Sequence, residues 1–136
     1  MKKYIFVVSL LCLLAACTGK RQGEAAAEVA ALPAVEDVVM YQVNPRVFAP
    51  EKSFKAVERR LDSIQTLGIN VVWFMPINEV GQEKSVNSPY CVKDYKGVNP
   101  EFGTLDEFKA LVATCHQKGM NVIIDWVANH TSWDNA

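Results

Sequence analysis

Apolar positions along this chain follow two spacings. Three short stretches are almost continuously apolar: Val38–Val43, Ile69–Met75 and Asn121–Val127. Asn44-Pro45 interrupts the first and Pro76 stops the second. Runs of this length closed by breakers are expected to be strands. Between them the apolar residues step by three and four. Phe54, Val57, Leu61, Ile64 and Leu67 form one such stripe, with Ser53 as a cap and Gly68 as a terminator. The spacing predicts a helix over 53–67. Leu105, Phe108, Leu111, Val112 and Cys115 form a second stripe, ended by Gly119. Thr104, followed three residues later by Glu107, has the pattern of a capping box. The order is therefore strand, helix, strand, helix, strand. Strands that read as apolar runs, rather than alternating ones, belong to a parallel sheet covered by helices, so the expected fold class is α/β.

That order places candidate chemistry. Crossovers of one hand bring the C-terminal ends of parallel strands to one side, where ligands bind in barrels and open sheets alike. Asp125, Asn129 and His130 lie at or just beyond the end of the third strand. The segment Ile77–Gly103 leaves the end of the second strand, so it opens onto the same side. It far exceeds the usual strand-to-helix connection of roughly 2–6 residues. Tyr90, Tyr95 and Phe102 lie within it among polar residues, which argues for an ordered loop.

The N-terminus is of another kind. Met1-Lys2-Lys3 is basic, Tyr4–Leu14 is an apolar run of signal-peptide length, and Leu14-Ala15-Ala16-Cys17 resembles a bacterial lipobox. Residues 1–16 are expected to be a lipoprotein signal peptide and Cys17 the lipidated residue, holding an exported protein on a membrane of the bacterial cell envelope. Residues 17–37, rich in Ala and Glu, read as a tether or a short surface helix, and 38–136 as the domain. The formal net charge is −1. Loss of residues 1–16 takes Lys2 and Lys3 with it and makes the remainder more acidic, which is no footprint for nucleic acid. Of four cysteines, Cys91 and Cys115 remain in the domain, either paired or free.

Tyrosines facing an aspartate, an asparagine and a histidine suit a neutral polyhydroxylated ligand, whose ring faces stack on aromatics and whose hydroxyls need planar donors and acceptors. No Gly-rich phosphate loop follows the first strand, and no Cys/His group has zinc spacing. Trp73 and Trp126 are expected in the core.

The stretch Asp125-Trp126-Val127-Ala128-Asn129-His130 resembles the first conserved motif of the α-amylase family, glycoside hydrolase family 13. Tyr41–Phe48, Leu67–Ile77, and Ser88–Tyr90 through Asp94-Tyr95 to Asn99–Thr104 are similar to that family's opening strand, second strand and approach to the second helix. The resemblance implies the N-terminal part of a TIM (β/α)8 barrel and, for the parent enzyme, retaining cleavage of α-glycosidic bonds in an α-glucan or maltooligosaccharide. It implies that Tyr90 stacks on a sugar ring and that His130 bonds one of its hydroxyls. Asn129 is implied as a calcium (Ca2+) ligand, and Asp125 as a buried carboxylate that orients catalytic groups. The family's nucleophile and acid come from later strands, and no carboxylate here sits in a matching motif. The chain is thus expected to be a truncated piece, inactive alone. Two other readings stand beside this one: a glucan-binding or transport-associated lipoprotein on the same barrel, and an unrelated open parallel sheet.

Overall fold

The computed structural model describes residues 31–135. The expected signal peptide and Cys17 lie outside them. Three parallel strands form the centre: β1 (Met40–Val43), β2 (Val71–Phe74) and β5 (Asn121–Ile124), in the order β1-β2-β5. The register sets Val43 beside Phe74, and Phe74 beside Ile124. After a short turn of helix, α1 (Pro45–Phe48), the first crossover carries α2 (Ser53–Glu58) and α3 (Leu61–Gln65). The second carries an antiparallel pair, β3 (Glu79–Val80) with β4 (Val92–Asp94), and then α4 (Leu105–Gln117).

Because side chains alternate along a strand, Val43, Val72 and Phe74 share one face of the sheet and meet the helices there. Phe54, Val57, Leu61, Ile64, Phe108, Leu111 and Cys115 close over them in one core. The centre of that core is aromatic: the Phe74 and Phe108 rings meet edge to face at 5.5 Å, and Phe54 lies 5.0 Å from Phe108. The Thr104–Glu107 capping box is present with both of its bonds. Cys91 and Cys115 are free thiols.

Several local expectations are corrected. The helix over 53–67 is two pieces. The Arg60 N–H donates to Val57 O at 2.8 Å, an i→i+3 bond that tightens the chain between α2 and α3. Ser53 does not cap. The Lys52 and Phe54 N–H groups donate to Glu101 O and Phe102 O, which starts α2 one residue earlier and buries Ser53 with its hydroxyl unpartnered. Leu67 lies beyond α3, and Leu105 on the first turn of α4; both are exposed. The third strand stops at Ile124 and is the sheet's edge among the described residues, so Ile123 and Ile124 are 42% and 43% exposed rather than buried. Of the expected tether, residues 35–37 form a single 3-10 turn; residues 17–30 lie outside the described residues.

Candidate active site

Asp125 follows β5 directly, and its N–H donates to Phe74 O at 2.8 Å, so the sheet register extends to the site. Counting in twos from Asn121, its side chain emerges on the face opposite the helices, the face Trp73 shares. There the Trp73 indole N–H donates to Asp125 Oδ1 at 2.8 Å, and the Tyr90 hydroxyl donates to Oδ2 at 3.0 Å. Asp125 is half-buried rather than buried as expected; it follows the strand that forms the sheet's edge among the described residues. Partial burial, then the Asp125 carboxylate accepting its hydrogen bond, then that carboxylate's negative charge, all hold the Tyr90 hydroxyl in its protonated form and push it above its ordinary value.

The loop carrying Tyr90 is tied at several points. Asn78 donates to Asp94 O and Gly97 O, and Arg46 of α1 donates to Asn87 O at 2.7 Å. Asp94 accepts from the Lys96 N–H at 2.8 Å, which makes it a turn residue. Tyr95 reaches the opposite side. Its hydroxyl lies 2.6 Å from Val127 O and 2.8 Å from His130 O, so one proton is shared between two carbonyls of the Asp125–His130 hexapeptide. Beyond the hexapeptide, the Ser132 N–H and the Thr131 hydroxyl both donate to Val92 O on β4, and Asp134 accepts from the Gln82 N–H. The Ile77–Gly103 segment and the hexapeptide therefore open onto one rim, as the strand order requires.

Within that rim the expected residues are not all in one place. A cavity of about 390 Å3 is lined by Tyr95, Trp126, Asn129 and His130 among others, and Tyr90 is not part of its wall. Tyr90 stays with Asp125 because its hydroxyl is bound there. Asn129 and His130 are exposed, and Asn129 Nδ2 lies 3.2 Å from His130 Nδ1. With the amide N–H as donor, Nδ1 is the acceptor, and the opposite ring nitrogen, Nε2, is the one left to donate. Calcium takes six to eight oxygens. Asn129 offers one, and no group of three or more His, Cys, Asp or Glu converges among the described residues, so these residues do not make a calcium site by themselves.

Two tryptophans were misplaced by the sequence. Trp73 is a partner of Asp125 rather than a core residue, and its place between the helix-facing Val72 and Phe74 was the signal for it. Trp126 is 71% exposed on the cavity wall.

The description "alpha amylase, catalytic domain" fits residues 51–136. Over 106 residues the chain is 33% identical to an oligo-1,6-glucosidase of Halalkalibacterium halodurans, a match that covers 74% of this chain and 18% of that enzyme. It is 38% identical over 98 residues to an amino acid transporter heavy chain of Homo sapiens, covering 68% of this chain and 14% of that protein. A crystal structure of an alpha-amylase from Lactobacillus plantarum superposes with a TM-score of 0.67 at 42% identity, over 73% of this chain and 24% of that one. The chain thus spans between about a seventh and a fifth of the length of these two curated relatives.

Proposed function

The chain belongs to the α-amylase family, glycoside hydrolase family 13, as the N-terminal part of its (β/α)8 barrel, and from this we propose that the intact barrel is a retaining glycoside hydrolase acting on α-glucans or maltooligosaccharides. The observation that carries the reading is the Asp125 carboxylate gripped by Tyr90 at the C-terminal end of a parallel strand. Barrel enzymes carry their chemistry at this end. Retaining cleavage takes a nucleophile and an acid about 5–5.5 Å apart, and the carboxylates of residues 38–136 match neither, so this polypeptide alone is inactive. In the proposal Asp125 orients neighbouring groups. The Tyr90 ring stacks on a glucose unit, and His130 donates from Nε2 to one of its hydroxyls. Calcium enters only as an ion to which Asn129 adds one oxygen beside donors from elsewhere in the barrel. The Leu14–Cys17 sequence supports an exported enzyme tethered to a membrane by lipid on Cys17.

Kinetics of the intact barrel on maltooligosaccharides test this reading. Tyr90→Ala and His130→Ala are expected to lower kcat/KM by about 10- to 100-fold or more each, the scale of lost transition-state contacts. Wild-type activity on no α-glucoside would overturn it. Similarity to an amino acid transporter heavy chain favours a second reading, a non-catalytic barrel. In that case the intact protein binds maltooligosaccharide, or a partner protein, and turns nothing over.

A further inference from the structure

Asp125 is held by two donors of different kinds. Tyr90 comes from a long loop and is 38% exposed. Trp73 sits inside β2, hydrogen-bonded between two neighbouring strands, with buried Val72 and Phe74 on either side. Both donors are neutral, so they orient the carboxylate without cancelling its charge. An aspartate needs such help, because its terminal torsion is broad and no rotamer well fixes the plane of the carboxylate. An indole N–H can only donate, so the Trp73 bond at 2.8 Å aims Oδ1 from a rigid strand. One lone-pair direction on each oxygen then remains for a substrate hydroxyl or a cationic neighbour.

We propose that Trp73 is a positioning residue: its indole N–H fixes the plane of the Asp125 carboxylate in the glucoside site, and the loop-borne Tyr90 completes the grip. The inference rests on the enzyme reading above, and two measurements on the intact barrel separate the two.

The first is kinetic. Trp73→Phe removes the donor and keeps an aromatic ring, while Trp73→His restores a ring N–H. Trp73→Phe is expected to lower kcat on maltooligosaccharides by about 10- to 100-fold, the scale of one hydrogen bond to a charged group. KM should stay within about twofold. Trp73→His should recover most of the loss. A Trp73→Phe enzyme within twofold of wild type, or a Trp73→His enzyme no better than Trp73→Phe, overturns the proposal. The second needs no activity. The indole N–H resonance of Trp73, followed by NMR through an acid titration, should move with a carboxylate and lose that movement in Asp125→Asn. A resonance indifferent to Asp125 overturns the proposal whatever the kinetics. A titrating resonance in a wild-type protein that cleaves no α-glucoside keeps the hydrogen bond but sinks the enzyme reading, and the positioning role with it.

Discussion

Gly81 and Tyr90 show what single side chains contribute. Gly81 lies where residues 131–135 cross the β3–β4 pair, and a Cβ there would overlap the Ser132 side chain and the Asp134 carboxylate. Ser132 cannot retreat, since its N–H is bound to Val92 O at 3.0 Å. Gly81→Ala in the intact barrel is therefore expected to destabilise by about 1–3 kcal/mol, as overpacking does, with the urea midpoint as the measure. Nothing in the local sequence marked Gly81, because its crowding comes from residues some fifty positions away in the chain. Tyr90 carries a pH signature. Its hydroxyl titrates above the ordinary value of 10.0, so the folded state binds the proton more tightly than the unfolded one. The stabilisation is complete below that ordinary value and is lost as pH rises through the folded value. Asp125→Asn removes the negative charge but not the burial, which is the larger cause. Tyrosinate absorbance in that variant should show Tyr90 titrating at lower pH than in wild type, without a full return to the ordinary value.

At the scale of elements, α4 was the most legible from the sequence and α2–α3 the least. The Thr104 box and the Phe108–Leu111–Cys115 stripe are local signals within one helix, and they appear where the spacing puts them. Thr104→Ala removes a side-chain cap and should cost about 1 kcal/mol in a denaturant titration. Cys115 is pushed up to about 12, by burial first and then by the Glu58 charge. A thiol reagent at neutral pH is expected to leave Cys115 unmodified until the protein unfolds, because the thiolate is the reactive form; modification of the native protein would contradict the packing of α4. The Ser53–Leu67 stripe was equally regular, yet the helix divides, and Lys52 rather than Ser53 stands at its N-cap. The reason is tertiary: Glu101 and Phe102 offer carbonyls to Lys52 and Phe54, and those residues come from the other crossover.

In the molecule as a whole, three parallel strands leave Met40 exposed at one edge and Ile123, Ile124 and Trp126 at the other. Edges and apolar faces of this kind invite association. The 136-residue polypeptide produced alone should therefore self-associate in sedimentation and release no reducing ends from starch; a monomer with sustained turnover would contradict this. In the parent, Cys17→Ala should move the protein from the membrane fraction to the soluble one, and retention on membranes would refute lipid anchoring. The α/β class, the strand order and the rim that joins the Ile77–Gly103 segment to the Asp125–His130 hexapeptide were all readable from the sequence. Each rests on local periodicity, on breakers, and on the rule that parallel strands end on one side. The contents of the rim were not readable. That Trp73 and Tyr90 meet Asp125, that Tyr95 pins the backbone under His130, and that Tyr90 stands outside the cavity His130 lines depend on pairing register and on side-chain reach across some thirty to fifty residues. Distances of that kind are set only when the sheet and its loops pack, because no short-range preference in the chain encodes them.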